Sequence, residues 1–265
     1  MIFKGKIIKH IFNNNGELFA QLNYAKKFYT KYAKHSHDTL CISIIKQGKI
    51  VVEFHNKEKQ TLYPNQIVIF NPHQVHVTKN SNIKSYNYYT LHLTQKWIDK
   101  ISPSLYFKNN IINSQNYYEI FLNLCENIIQ NNIKDIEKEL YNFFIDLVEN
   151  HSNNISTSTN NQIFNNVKNY IINNIQEQLT LDDIAKEIGY SKEYIIRIFK
   201  KEFGLTPHAF LMNEKVNYAK NILDKSDSLN LTEIALELGF YDQSHFIKFF
   251  KKSFAITPNK YKKDI

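Results

Sequence analysis

Arginine is almost absent from this chain. Of 33 basic side chains in 265 residues, only Arg197 carries a guanidinium; the rest are lysines. A composition rich in Lys, Asn and Ile suits an AT-rich genome, which thins out arginine everywhere but does not account for where the single one sits. Cysteine is scarce as well. Cys41 and Cys125 are too few for a disulfide framework, so a reduced, cytoplasmic setting is expected. No apolar run approaches the roughly 20 residues of a membrane span, and no membrane partner is expected. The segment MIFKGKIIKHIFNNNGE has neither an uninterrupted apolar core nor a small-residue cleavage site, so it does not read as a signal peptide. A glycine-rich phosphate loop, a Ser/His/Asp arrangement and a paired-Cys zinc ribbon are all missing. No enzyme activity and no cofactor are expected.

What is present fits two globular domains: 43% hydrophobic and 22% charged residues in a length that can bury two cores. Net charge is +8 and the pI about 9.1, compatible with a polyanionic partner. The excess is unevenly spread. Residues 162–265 carry 15 basic and 13 acidic side chains, so charge alone does not mark a nucleic-acid surface there.

The stretch HSNNISTSTNNQ (151–162) is nearly uncharged and apolar-poor, the composition of a flexible linker. Before it, Tyr117, Phe121, Leu124 and Ile128 form one helical stripe and Ile136, Leu140, Phe143 and Leu147 another, with a break near Asn131–Asn132. Such a pair either packs on its own domain or offers a seam to a second copy. Further upstream, CISIIKQGKIVVEF reads as a hairpin, and IVIFNP and YNYYTLHL as further strands of a small barrel or sandwich.

An internal repeat organises the C-terminal part. LTLDDIAKEIGYSKEYIIRIFKKEFGLTP aligns with LNLTEIALELGFYDQSHFIKFFKKSFAITP. Ile184-Ala185 matches Ile234-Ala235, Gly189 matches Gly239, Phe199-Lys200 matches Phe250-Lys251, and Thr206-Pro207 matches Thr257-Pro258. Each copy reads as helix, glycine turn, helix, with a small alanine where the second helix crosses: a helix-turn-helix. The segment from Thr206 begins with a cap and a proline at the first helical position, and forms a helix that holds the two units apart. Two second helices spaced by roughly 34 Å would enter successive major grooves.

In the second helix of the first copy, Ile195, Ile198 and Phe199 form the expected buried row. Lys192, Glu193, Ile196, Arg197 and Lys200 face outward. In the second copy Phe246, Phe249 and Phe250 are the buried row, and Gln243, Ser244, Ile247, Lys248 and Lys251 face outward. The repeat sets Lys248 against Arg197. An outward arginine can form two hydrogen bonds with guanine, and Gln243 can do the same with adenine. Arg197, Glu193, Ile196, Gln243, Ser244, Ile247 and Lys248 are therefore the base-contact candidates. For the two isoleucines, contact with thymine methyls and packing on a neighbouring helix both stay open. Lys192, Lys200, Lys201, Lys251 and Lys252 are candidates for phosphate contact.

This C-terminal part resembles the DNA-binding domain of the AraC/XylS family of bacterial transcription regulators. IALELGFYDQSHFIKFFKKSFAITPNKY carries that family's Ile-Ala, Gly-Phe, Gln-Ser-x-Phe, Phe-Lys and Thr-Pro-x-x-Tyr positions, with Ala255 and Lys248 where glycine and arginine are more usual. The resemblance implies base contacts at Arg197, Gln243, Ser244 and Lys248. More loosely, KHSHDTLCISIIKQG and LYPNQIVIFNPHQVH are similar to the two halves of a cupin-like sensor motif. That likeness implies a small-molecule effector pocket, followed by dimerising helices.

For His35, His37 and His76 several roles stay open: lining an effector pocket with Tyr88 and His92, serving as structural histidines, or holding zinc together with Cys41. A metal-cupin carboxylate has no counterpart here, since Cys41 or Ile42 fills its place.

The expected organisation is α+β: a cupin-like barrel (1–112), a helix pair (113–150), a linker (151–161) and an all-α double helix-turn-helix (162–265). The expected function is transcription activation under effector control. Its partners are double-stranded DNA, a small-molecule effector, a second copy in a homodimer, and RNA polymerase. An effector-independent DNA binder with a degenerate cupin is the second reading, and a metal-dependent cupin enzyme the third.

Overall fold

The computed structural model describes residues 6–28, 33–55, 59–80, 86–103, 105–154, 162–225 and 230–264. Strands β1 (Lys6–Phe12), β2 (Leu18–Phe28), β3 (Leu40–Gln47), β4 (Ile50–Phe54), β5 (Gln60–Leu62), β6 (Gln66–Phe70), β7 (His76–Asn80) and β8 (Tyr86–Leu93) come first. A short helix α1 (Gln95–Asp99), strands β9 (Leu105–Tyr106) and β10 (Ile111–Asn113), and helices α2 (Gln115–Gln130) and α3 (Ile136–His151) complete the N-terminal domain. After β11 (Asn153–Asn154) come seven helices: α4 (Gln162–Asn173), α5 (Leu181–Ile188), α6 (Lys192–Phe203), α7 (Pro207–Lys225), α8 (Leu231–Glu237), α9 (Gln243–Phe254) and α10 (Pro258–Asp264).

The first eight strands and β10 form two sheets: six strands in the order β1-β2-β8-β3-β6-β10, and three in the order β5-β4-β7. Strand alternation decides what each face of the larger sheet meets. Leu22, Ile42, Ile44, Tyr89 and Leu91 point to α1, α2 and α3 and share their core. Cys41, Ile45, Val68 and Tyr88 point the other way, into a cluster with Ile50, Val52, Phe54 and Leu62 of the smaller sheet. The expected β3–β4 hairpin does not form. Strand β3 pairs with β8 and β6, and β4 pairs with β5 and β7. With both its edges occupied and both its faces buried, β3 has no room for β4. The turn at Gly48 (φ 92°) carries the chain across to the other sheet instead.

Helices α2 and α3 are separated by Asn131, whose φ of 59° closes α2. The buried row of α2 is Tyr118, Phe121, Leu124, Cys125 and Ile128; Tyr117 is only partly buried against it. The expected linker begins with structure: His151 ends α3 and Asn153–Asn154 pair with Leu105–Tyr106. The rest of it, residues 155–161, lies outside the described residues.

In the C-terminal domain, α5–α6 and α8–α9 are the two helix-turn-helix units. Thr180 and Asp183 close a capping box at α5, and Gly189 ends that helix at φ 76°. Ser191 and Asp242 cap the two second helices. The fully buried rows are Ile195, Phe199 and Phe203 in α6 and Phe246, Phe250 and Phe254 in α9, each spaced by four residues. Ile198 and Phe249, expected in those rows, are half-buried. At three residues from Ile195 and Phe246 they sit on the flank of a stripe that follows the i, i+4 direction. Among the described residues no helix is long and apolar enough to cross a membrane.

The two domains pack through α7. Asn213 Nδ2 donates to the carbonyl and hydroxyl oxygens of Ser36 (3.0 and 3.1 Å), Asn217 adds a third bond to the Ser36 carbonyl (3.3 Å), and Asn221 donates to Asp38 (3.0 Å). His55 Nε2 donates to the Lys201 carbonyl at the end of α6 (2.7 Å).

Candidate nucleic-acid interface and ligand cavity

On α6, Glu193, Arg197, Lys200 and Lys201 are exposed, while Lys192 and Ile196 are half-buried. On α9, Gln243, Ser244, Lys248, Lys251 and Lys252 are exposed, and Ile247 is half-buried against the C-terminal core. Helical periodicity produces this separation, because each helix spends its phenylalanine row on the core and leaves the opposite stripe to solvent. The Arg197 guanidinium lies over the Tyr194 ring (5.2 Å to its centroid), and Tyr194 stacks on Tyr190. That stack orients the one arginine without neutralising it. Lys192 is tied to Asp182 (2.8 Å). Sequence reasoning passed over Tyr190 and Tyr241. They are 46% and 88% exposed at the turns just before the two second helices. Their signal was an aromatic residue at the repeat's turn, beside a helix whose own aromatics are needed for the core.

The second site is a cavity that reaches from the inner face of the larger sheet to the C-terminal domain. His35, His37, His76, Tyr88 and His92 line it, as does Cys41. The strand period that sends Leu22, Ile42 and Leu91 to the helices sends Gln21, Asn23, Ser43, Thr90 and His92 to this side. These alternating polar residues within otherwise apolar strands were legible as a pattern, but only His92 was singled out. Lys220 of α7, Ser253 and Phe254 of α9, and Tyr261 of α10 close the cavity from the other domain. No sequence signal tied those residues to a barrel over a hundred positions away.

The histidines crowd together. Ring centroids are 4.5 Å apart for His35–His76, 4.8 Å for His35–His37, 5.3 Å for His37–His76 and 5.2 Å for His37–His92. Burial pushes His35 down to about 4 and His92 to about 3. Burial, then the neighbouring histidines, holds His37 and His76 well below the ordinary imidazole value. All four are therefore neutral near pH 7. Burial also pushes the Cys41 thiol up to about 12, so it is protonated.

A polar chain leads from this cluster to the C-terminal domain. His92 Nδ1 lies 3.1 Å from both Thr39 Oγ1 and Cys41 Sγ, and Asn23 Nδ2 faces His92 Nε2 at 3.1 Å. Gln21 Nε2 donates to Asn23 Oδ1 (2.8 Å), and Gln21 Oε1 stands 3.1 Å from the Tyr261 hydroxyl. That hydroxyl has one proton, and its stronger acceptor is the Asp224 carboxylate, which it also meets. Burial pushes Asp224 up, but His10 (3.2 Å), Lys220 (2.8 Å) and Tyr261 together outweigh it and hold the carboxyl at about 2.

Comparison with known proteins matches both halves. A helix-turn-helix domain family matches residues 184–264, and the AraC-like ligand binding domain family matches residues 23–141. YbfI of Bacillus subtilis (strain 168), an uncharacterized HTH-type transcriptional regulator, is 24% identical over 234 residues, 83% of each chain. YtdP of the same organism, also an uncharacterized HTH-type transcriptional regulator, is 32% identical over 129 residues, which is 49% of this chain and 17% of that much longer one. Among solved structures, unsaturated fatty acid bound ToxT from Vibrio cholerae strain SCE256 superposes with a TM-score of 0.62 at 16% identity. That superposition covers 96% of this chain and 97% of ToxT, so the two share the whole two-domain fold.

Proposed function

Since the chain belongs to the AraC/XylS family of transcription regulators, with a helix-turn-helix DNA-binding domain and an AraC-like ligand-binding domain, we propose that it activates transcription from a specific operator under the control of a small effector held between its two domains. The observation that carries this reading is the cavity lined from both sides, by Asn23 and Tyr88 of the sheet with His37 from the segment before β3, and by Lys220, Phe254 and Tyr261 of the helices. A molecule seated there touches both domains, so its binding energy depends on how they pack. Any effector that favours one packing shifts the population toward it. That ToxT has been solved with an unsaturated fatty acid bound supports a small molecule as the class of ligand. The mixed lining here suits an amino acid, a sugar or an aromatic acid.

On DNA, Arg197 and Gln243 would read bases from α6 and α9, with Glu193, Ile196, Ser244, Ile247 and Lys248 beside them. Lys200, Lys201, Lys251 and Lys252 would hold phosphates, together with Lys192 once it leaves Asp182. A second copy would dock on the outer face of α2 and α3, where Ile120 and Tyr141 are 45% and 44% exposed, and RNA polymerase is the further partner that activation requires.

The test is selection of bound sequences from a random duplex library at fixed salt, with and without candidate effectors, for wild type and Arg197→Ala. Wild type should enrich one motif. The variant should lose about 1–3 kcal/mol of preference at a single base pair while keeping most of its salt dependence. Identical motifs from both proteins would remove Arg197 from the reading face. No enrichment under any condition would overturn the regulator reading.

A further inference from the structure

We propose that Tyr190 and Tyr194 are positioning residues for base recognition, forming an aromatic shelf that directs Arg197 toward the end of α6 that reads DNA. The inference rests on Arg197 being a base reader, as proposed above.

The shelf is built from the turn upward. Ser191 caps α6 by accepting the Tyr194 N–H (3.3 Å), which fixes the backbone of Tyr194 in the first turn. Tyr190, the residue before that cap, stacks its ring on Tyr194 with centroids 5.2 Å apart and planes 22° from parallel. Arg197 follows Tyr194 by three residues, so the two side chains share one face of the helix. Helical side chains lean toward the helix N-terminus, and the Arg197 guanidinium accordingly rests 5.2 Å from the centre of the Tyr194 ring. In a helix-turn-helix the N-terminal part of the second helix meets the base edges. The arginine is therefore held on the side where a base would be.

Arg197 is held by a ring rather than by a carboxylate. Glu193 stands four residues before it, the spacing of a helical ion pair, yet among the described residues no carboxylate pairs with Arg197. A carboxylate would occupy the N–H fork and offset its charge. A ring face attracts the cation and takes up none of its five N–H donors, so the fork that matches guanine O6 and N7 stays available. Ordering a long, rotamer-rich side chain before DNA arrives also removes part of the ordering cost from binding.

The second unit lacks this arrangement. At an offset of 51 residues, Tyr241, His245 and Lys248 stand where the first unit has Tyr190, Tyr194 and Arg197. The second turn has one residue more. Phe240 enters the core there, and His245 packs edge-on against Phe240 and Phe249 (centroids 5.7 and 4.9 Å). Among the described residues no ring lies under Lys248. The shelf therefore belongs to the first unit and to its arginine.

The experiment measures affinity of the full chain, at fixed salt, for the duplex selected by wild type. It repeats this for duplexes changed at the base pair that Arg197→Ala ceases to discriminate. Tyr194→Leu should lower preference at that base pair roughly two- to fivefold, and Tyr190→Ala about twofold, with the salt dependence unchanged. Tyr194→Phe keeps the ring and should keep the preference. Adding Tyr194→Leu to Arg197→Ala should cost no further affinity, because the tyrosine acts only through the arginine. Circular dichroism checks folding. Should half-buried Tyr194→Leu fail to fold, the exposed Tyr190→Ala carries the same cycle. Three outcomes overturn the shelf alone, given a loss in Arg197→Ala. These are full preference in Tyr194→Leu, an equal loss in Tyr194→Phe, which would mark a direct hydroxyl contact, or a further loss in the double variant. An unchanged motif in Arg197→Ala, or no motif from wild type, overturns the base reader and the shelf together.

Discussion

The first helix-turn-helix unit ends its second helix on Gly204 at φ 84°, and the second ends its own on Ala255 at φ 62°. Both helices have 12 residues, and both bury a row spaced by four. What lies beyond the two ends differs. A Cβ on Gly204 would collide with the His55 ring and lie 2.9 Å from Lys34 Nζ, because the N-terminal domain lies directly against that turn. Ala255 is 4% exposed, and its methyl belongs to the cluster between the two sheets, with Ile45, Phe70 and Tyr86. The copies share a fold but lean on the sensor differently. The first is touched at a backbone turn, while the second contributes a side chain to the sensor's core. The residues lining the cavity follow the same asymmetry, coming from α7, α9 and α10 and none from α5 or α6. An effector held in the cavity, as proposed, would act first on the second unit and on the connecting helix.

The contrast can be broken most forcefully at Gly204. Gly204→Ala combines a left-handed alanine with displacement of His55 from the Lys201 carbonyl, and should destabilise the closed arrangement by about 2–3 kcal/mol. Chemical denaturation of the variant against wild type measures this, and an unchanged midpoint would show that the sensor does not bear on the first unit. Next comes acid. Burial pulls the Asp224 carboxyl up, but His10, Lys220 and Tyr261 together hold it near 2, below its ordinary value of 3.8. Its depressed value means the stabilisation is complete above about pH 4 and is lost as pH falls through 2, a contribution of about 2 kcal/mol. Asp224→Asn should flatten that part of the stability–pH curve, and a curve with the wild-type slope would remove Asp224 from the interface account. The smallest effect is expected at Ala255→Gly, where relief of the positive φ and loss of a buried methyl nearly offset each other. The net change should be within about 0.5 kcal/mol. A loss above 2 kcal/mol would mean that the methyl matters far more to the sensor core than its size suggests.

Legibility varied with the range of the interaction that decided each feature. The helix-turn-helix repeat was readable because caps, glycine turns and a phenylalanine row are local and recur at a fixed offset. The position of Arg197 followed from helical periodicity alone. The half-burial of Ile198 and Phe249 was less legible, since two stripes one residue apart differ only in which neighbouring helix covers them. The β3–β4 segment shows the limit more sharply. CISIIKQGKIVVEF has the local chemistry of a hairpin, yet β3 is enclosed by β6 and β8, strands 20 to 50 residues downstream. Competition for a strand edge is not written in the segment that loses it.

The sensor's histidines divide along the same line. Their presence, and the lack of a carboxylate among them, were plain from His35, His37 and His76 in the chain. That His35 and His76 form a bridge, that their Nδ1 protons are held by carbonyls, and that Tyr261 meets Asp224 and Gln21 were decided only when distant segments packed. By itself the sequence determined the two domains, the repeated DNA-binding unit and its outward-facing residues, because periodicity and caps act over a few residues. The tertiary structure alone decided the cavity and its closure by the second unit, because burial and hydrogen-bond partners are properties of contact between segments far apart in the chain.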